Sequence, residues 1–411
     1  MTASDPALAR LRALRRRLAP GLGAPLRRVL PPLFAFTAGL RHRALGLPAG
    51  GPIVLAGFHG SVLGIGEGAR ALSATLRAAG FEVTDWDVSA LFGHDRRIDA
   101  GDPAPPAPGG GVLIAHMNPP ELLQLIALHG GGVLKGRRVI GYWAWELEHL
   151  PRAWKPALRH VDEVWAPSRF TAEAVEEVAP QGLPVRVLPH TLIPTDTASD
   201  RARFDLPDDA VVVLSAFDLR STLARKNPLA AIEAFRRAGA RSSSKALLVL
   251  KTVGADAHSP LLAQINAAIG GARNIRLFNG VLTPDDRDRL VASADIILSL
   301  HRSEGFGLWL AEGMLAGKPV IATAWSGNLD FMTPKAAALI PARLVAVDDR
   351  QGMYAGGRWA EADLDAAEAR LVELINDADA RAALGAAARD HAAKTLDPAR
   401  WAQALKTWLR P

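Results

Sequence analysis

The sequence predicts an α/β protein made of two parallel-sheet domains that face each other across a cleft. Three observations predict it. Short apolar runs alternate with helical patterns, which is the mark of a parallel sheet covered on both faces. The alternation stops at a polar, turn-rich stretch, residues 194–209, and then restarts. The chain of 411 residues is 49% hydrophobic and 22% charged, which suits two sizeable cores and excludes disorder as the main state.

In the first half, Ile53–Ala56 is a strand bounded by Gly51 and Gly57. The run Gly64-Ile65-Gly66-Glu67-Gly68 reads as a Gly-rich turn leading into a helix that ends near Gly80. Strands follow at Phe81–Val88, Val112–His116, Arg138–Trp143, Glu163–Ala166 and Val185–Leu188, with a helix at Glu121–Leu128. In the second half the strands are Val211–Ala216, Leu247–Lys251, Ile275–Phe278, Ile296–Leu300 and Pro319–Thr323, and Asn227–Ala238 is an amphipathic helix. The tail from about Leu364 is helical and Ala-rich. It closes on Asp397-Pro398-Ala399-Arg400-Trp401, an N-cap with proline at the first helical position. The expected divisions are a basic arm (1–50), a first domain (51–195), a second domain (196–395) and a C-terminal helix (396–411). Ligands of such a pair bind between the strand C-terminal ends.

Composition narrows the chemistry. Cysteine is absent, which excludes disulfide scaffolds, thiolate metal sites and thiol nucleophiles. The first fifty residues carry nine Arg, no Lys and one acidic residue, a net +8, while the other 361 sum to −2. A nearly neutral body argues against a nucleic-acid groove. The arm interleaves Arg10, Arg12, Arg15, Arg16, Arg17, Arg27, Arg28, Arg41 and Arg43 with apolar side chains. It reads either as a contact for an anionic bilayer surface or as a solvated tail.

Two segments carry the chemistry. In Ser303-Glu304-Gly305-Phe306-Gly307-Leu308-Trp309-Leu310-Ala311-Glu312, a strand ends, glycines permit close backbone approach, and a helix starts at about Gly307. Its first N–H groups form an anion site, and Glu304 and Glu312 can face one cleft. In Asp218-Leu219-Arg220-Ser221-Thr222-Leu223-Ala224-Arg225-Lys226-Asn227-Pro228, Arg220 and Lys226 sit near a helix start, where the macrodipole disfavours cations. A bound polyphosphate would resolve the conflict; a solvated loop is the alternative.

Together these segments resemble the retaining GT-B glycosyltransferases of glycosyltransferase family 4. The E-x7-E motif stands at Glu304 and Glu312, and the Arg/Lys pair at Arg220 and Lys226. Gly64-Ile65-Gly66 matches the Gly-rich first loop, and His116, followed by Asn118-Pro119, matches the active-site histidine. The resemblance covers about residues 52–411 and extends through Phe278-Asn279-Gly280 and Gly317-Lys318-Pro319-Val320-Ile321-Ala322-Thr323. It departs at Ser326-Gly327-Asn328, where relatives carry Gly-Gly.

The resemblance implies a GT-B fold, with a C-terminal helix crossing back to the first domain. It implies a hexosyltransferase acting with retention on a nucleotide-diphosphate sugar, GDP-mannose or a UDP-sugar. The acceptor is then a glycan or a lipid-linked acceptor in polysaccharide synthesis at the cytoplasmic face of a membrane. Arg220, Lys226 and the helix start at Gly305, Phe306, Gly307 and Leu308 would hold the diphosphate, with Gly64, Ile65 and Gly66 nearby. Glu304 would meet the sugar hydroxyls, Glu312 the ribose, and His116 the active site.

No Asp-x-Asp motif stands in a convincing site, so no metal and no cofactor are expected. The aromatic run Trp143-Ala144-Trp145-Glu146 offers Trp145 and Glu146 as acceptor contacts or as core packing; Trp165 reads as core. A catalytically silent scaffold of the same fold is the alternative function. A GT-B epimerase or phosphorylase is a third, and no pyridoxal lysine context is identifiable for the latter.

Overall fold

The computed structural model describes residues 51–409, except 108, 130, 131, 193–195, 256, 257, 351 and 355. The basic arm and its expected membrane contact lie outside the described residues.

The first domain runs β1 (Ile53–Gly57), α1 (Gly64–Ala78), β2 (Val83–Asp87), β3 (Val112–His116), α2 (Pro119–His129), β4 (Arg138–Tyr142), β5 (Glu163–Ala166), α3 (Arg169–Glu176) and β6 (Val185–Val187). Its six strands pair in the order β2-β1-β3-β4-β5-β6, every pair parallel. All five residues of β1 and of β3 are buried. That is why these strands read as unbroken apolar runs and not as alternating ones: helices cover both faces.

The second domain repeats the plan. It runs β7 (Val211–Asp218), α4 (Leu223–Lys226), α5 (Pro228–Arg241), β8 (Ala246–Val253), α6 (Pro260–Ile269), β9 (Ile275–Asn279), α7 (Pro284–Ser293), β10 (Ile296–Ser299), α8 (Leu308–Leu315), β11 (Val320–Thr323) and β12 (Ala338–Ile340). The order is β12-β11-β10-β7-β8-β9, again all parallel. Helix α8 lies close on β10 because residue 313 is glycine: a Cβ there would stand 2.7 Å from the Ile297 side chain.

Three features differ from the sequence reading. Gly64–Gly68 is the first turn of α1 itself, not a turn ahead of it. Short α4 precedes α5, with Asn227 in the left-handed region between them (φ 50°). An antiparallel hairpin, β13 (Ala342–Ala346) and β14 (Arg358–Ala362), follows β12 and was not expected. Tyr354 and Trp359 from this hairpin are buried in the first domain's core, and Arg358 reaches Glu148 at 3.3 Å. The second domain is thereby strapped to the first.

The tail forms α9 (Leu364–Asn376), α10 (Ala378–Thr395) and α11 (Pro398–Leu409). The Asp397 carboxylate accepts from the Ala399 amide (2.8 Å) at the start of α11, as the sequence predicts. Helix α11 crosses back and buries Leu405 and Leu409 with Ile53, Leu55 and Leu72 of the first domain. Arg138 donates to the Trp408 carbonyl at 2.8 Å, fixing the crossing at its far end. Among the described residues no helix is long and apolar enough to cross a membrane.

Candidate active site

A cavity of about 1260 Å³ opens between the C-terminal ends of the two sheets and is lined from both domains. Glu304, Glu312, Arg220, Lys226, Gly64, Ile65, Gly305, Phe306, Gly307, Leu308, Trp145 and Glu146 all stand in its wall. Gly66 lies beneath it, where a Cβ would come within 2.5 Å of the Phe58 carbonyl.

Glu304 follows β10 and is buried. Its carboxylate takes hydrogen bonds from Lys226 Nζ at 2.5 Å and Arg225 Nη1 at 3.1 Å. Burial pushes the carboxyl up, but the two cations outweigh it and hold it at about 2. The Ser326-Gly327 departure from the family pattern sits directly behind this loop. Ser326 Oγ accepts from the Glu304 amide at 2.8 Å, and Gly327 lies so close to the Gly305 carbonyl that a Cβ would be 2.2 Å away. From the other side, Ser168 donates to the Gly305 carbonyl at 2.6 Å, so the first domain also pins the loop.

Gly307 takes φ 101° at the start of α8, and no side chain caps that helix. The helix start therefore offers N–H groups and a partial positive charge to the cavity wall at Leu308 and Trp309. The start of α1 is also without a side-chain cap, at Leu63.

The two expected cations are both already paired with carboxylates of the protein. Lys226 ends the four-residue α4 and stands directly before Asn227, the N-cap of α5, as the sequence reading places it, but its charge is not left for a bound polyphosphate to offset. Glu304 compensates its charge instead. Arg220 is half-exposed and grips Asp218, two residues away, at 2.7 Å. A third cation escaped the sequence reading. Arg225 is 2% exposed and binds the Ser303 carbonyl (2.8 Å) and Glu304. It also lies 3.6 Å from Glu146 and 5.8 Å from the Tyr354 ring centre. Its one signal was adjacency to Lys226.

Glu312 sits on α8, its side chain 17% exposed, with Arg287 Nη1 of α7 at 3.5 Å. Arg287 also reaches Glu67 of α1 at 3.4 Å, which links the two domains across the cavity. Burial pushes the Glu312 carboxyl up to about 7; Arg287 opposes this, and the nearby Glu67 adds to it.

Trp145 is buried between Trp154 (ring centres 4.7 Å) and Tyr354 (5.3 Å), and its indole N–H is taken by the His149 carbonyl at 2.9 Å. Glu146 accepts from Tyr354 Oη at 2.9 Å. Both belong to the wall, but their polar atoms are already engaged by protein groups. Trp165 is fully buried core, its indole donating to Glu163.

His116 does not line the cavity. It is fully buried and stacked on Tyr142 (4.2 Å, 12°), and neither ring nitrogen has a hydrogen-bond partner among the described residues. Burial drives the imidazole well below its ordinary range, so it is neutral. His94, His149 and His190 line the wall instead, and of these His190 packs on the loop that carries Glu304; the sequence reading did not single it out. The Asp-Trp-Asp run of β2 is engaged elsewhere: Asp85 binds Arg77 (2.9 Å), and Asp87 binds Arg96 (2.7 Å).

Residues 211–356 match the family model described as Glycosyl transferases group 1. Over 211 residues the chain is 31% identical to a D-inositol 3-phosphate glycosyltransferase of Thermobispora bispora, covering 49% of this chain and 43% of that protein. A second protein of that description, from a Nocardioides species, is 31% identical over 149 residues, covering 33% of this chain and 31% of its own length. The chain thus spans less than half the length of the curated relatives it matches. Among solved structures, HepE of Anabaena, in complex with UDP and glucose, superposes with a TM-score of 0.61 at 15% identity. That match covers 87% of this chain and 99% of HepE. Sucrose-phosphate synthase of Thermosynechococcus elongatus superposes with a TM-score of 0.62 at 16% identity, covering 87% and 97%. At such identities the likeness is one of fold, and the fold is the GT-B arrangement of two parallel-sheet domains around a cleft.

Proposed function

We propose that this chain transfers a hexose, with retention, from a nucleoside-diphosphate sugar to a hydroxylated acceptor. The observation that carries the reading is the Lys226–Glu304–Arg225 cluster, set beside the uncapped start of α8 in an interdomain cavity. When the glycosidic bond to the diphosphate breaks, negative charge develops on the departing phosphate. Fixed cations and backbone donors in a site shielded from water stabilise that charge without reorganising. Lys226, Arg220 and the α8 amides fill this role. Glu304 meets hydroxyls of the sugar, and Glu312 meets the ribose.

A UDP-sugar is favoured over GDP-mannose as donor. Support comes from UDP and UDP-glucose in the HepE complexes and from UDP in a pneumococcal O-GlcNAc transferase of TM-score 0.51. The relatives' description supports a polyol phosphate as acceptor, in place of the glycan or lipid-linked acceptor expected from the sequence. The basic arm keeps its proposed role as a contact for an anionic membrane at the cytoplasmic face. Deleting residues 1–48 is expected to abolish co-sedimentation with anionic liposomes while sparing UDP release; equal co-sedimentation would leave the arm as a solvated tail.

The deciding experiment is a thermal-shift screen of UDP-glucose, UDP-N-acetylglucosamine, GDP-mannose and UDP, followed by an assay of nucleotide release with and without inositol phosphate. A bound donor raises apparent stability with occupancy. Binding without release would favour a catalytically silent scaffold, and no stabilisation by any nucleotide sugar would refute the reading.

A further inference from the structure

His190 stands in the cavity wall, just after β6, and the residue is 7% exposed. Its surroundings fix which nitrogen carries the proton. Tyr142 Oη donates its single hydrogen to the Leu188 carbonyl at 2.8 Å. The contact between that oxygen and His190 Nδ1, at 3.3 Å, therefore needs its hydrogen from the imidazole. Nδ1 is the protonated nitrogen and Nε2 is a free lone pair. Among the described residues Nε2 has no hydrogen-bond partner, and unlike both nitrogens of His116 it is not sealed from the cavity.

The ring is also held in place by packing. Phe306, in the loop between Glu304 and α8, meets it edge to face at 5.0 Å and 86°. Tyr142 lies against it at 5.5 Å. Gly68 leaves the room it occupies: a Cβ on residue 68 would be 2.4 Å from Cε1 of His190. Burial drives the imidazole down to about 4, against a small opposing pull from Glu67, so the ring is neutral at ordinary pH.

A neutral lone pair accepts a hydrogen bond; it does not attract phosphate, whose oxygens are themselves acceptors. Sugar hydroxyls are donors, and the packing of Phe306 on His190 places the ring beside the loop that carries Glu304. We propose that His190 Nε2 accepts a hydrogen bond from a hydroxyl of the transferred hexose, and that Tyr142 is the positioning residue that fixes the tautomer. The assignment rests on the glycosyl-transfer reading above. It makes His190, in place of the buried His116, the imidazole that touches the sugar.

The test uses the full chain labelled with [15N]histidine. At pH 7.5, long-range proton–nitrogen correlation is expected to show His190, assigned through the His190→Gln variant, with a protonated Nδ1 and a lone-pair Nε2. The Nε2 resonance should move on adding UDP-glucose and stay in place with UDP alone. In steady-state transfer, His190→Phe should lower kcat/KM by about tenfold, the worth of one hydrogen bond. It should leave UDP affinity within about twofold, with His190→Gln recovering most of the loss and Tyr142→Phe costing less. An Nε2–H tautomer, or an Nε2 shift that UDP alone reproduces, overturns the assignment. Failure of the wild-type chain to bind any of the screened nucleotide sugars overturns the glycosyl-transfer reading itself. Donor binding with an unmoved Nε2 sinks this assignment alone.

Discussion

Glu304 and Glu312 are the same residue type, eight positions apart, in the wall of one cavity, yet their carboxyls are shifted in opposite directions. Glu304 is clamped by Lys226 and Arg225 and held at about 2. Glu312 has Arg287 at a longer 3.5 Å, shares it with Glu67, and is pushed up to about 7. Both are substantially buried, so burial alone does not separate them. The difference comes from the partners brought in by other elements: two cations from the β7–α5 connection at one end, and one shared cation with a competing carboxylate at the other. One end is built as a permanent charge cluster; the other takes up or releases a proton in the physiological range.

The largest effect expected is at the cluster end. Lys226→Ala should lower kcat/KM for transfer by on the order of 10²-fold, since it removes a cation from the departing diphosphate. Arg220→Ala should cost less, because Asp218 already neutralises that guanidinium in place. Wild-type rates in both variants would remove the charge cluster from the mechanism.

Next is stability. Arg225→Ala leaves Glu304 and Glu146 short of a buried counter-charge and should cost about 3 to 5 kcal/mol in urea unfolding. Arg287→Ala, at the more open end, should cost distinctly less. Equal losses would show that the two ends are not built differently.

The pH dependence sharpens the contrast, because the two carboxyls shift in opposite directions. A depressed carboxyl contributes stability that is present above its unfolded value near 4.5 and is lost as pH falls through about 2. Glu304→Gln should therefore destabilise at pH 7 by about 1 to 2 kcal/mol, with the penalty vanishing toward pH 2. A raised carboxyl does the reverse: stability falls as pH climbs from 4.5 to about 7. Glu312→Gln should stabilise at pH 8 by on the order of 1 kcal/mol and do nothing at pH 4.5. Urea midpoints at pH 4.5 and 8 decide this, and effects of the same sign would contradict the assigned environments. Glu304→Gln should also impair transfer without weakening UDP binding, since it frees Lys226 and Arg225 for the diphosphate; calorimetry reads that.

The smallest expected effect is none: transfer should persist in EDTA, with Lys226, Arg220 and the α8 amides meeting the leaving charge. Loss on chelation, restored by Mg²⁺ or Mn²⁺, would show that a divalent ion shares that task.

Much of this architecture was legible because parallel strands buried on both faces leave an unmistakable run of apolar residues, and because Gly307 and Asp397-Pro398 mark helix starts by local chemistry. The β13–β14 hairpin was not legible. Ala342–Ala346 is largely exposed, and its partner strand lies beyond a Gly-rich loop, so neither periodicity nor an apolar run announces it. Lys226, Glu304 and Glu312 could be picked out from spacing and strand context. Arg225 could not be told from its neighbour Lys226, nor His190 from His116, because nothing in the local sequence says which side chain turns inward.

By itself, then, the sequence determined two parallel-sheet domains, the start of α8 after a Gly-Phe-Gly turn, the uneven charge of the chain and the chemical types available at the cleft. Those follow from local rules: strand and helix periodicity, glycine's tolerance of positive φ, and the unpaired N–H groups of a helix start. Only the tertiary structure decided how far each carboxyl is shifted, which cation is buried, and which histidines face the cavity. The physical reason is that a pKa and a tautomer are set within a few ångströms, by groups that the chain brings from far away. Glu304 lies 78 residues from Lys226, and Tyr142 lies 48 from His190. Glu67 and Glu312 meet across the cleft through the one guanidinium of Arg287.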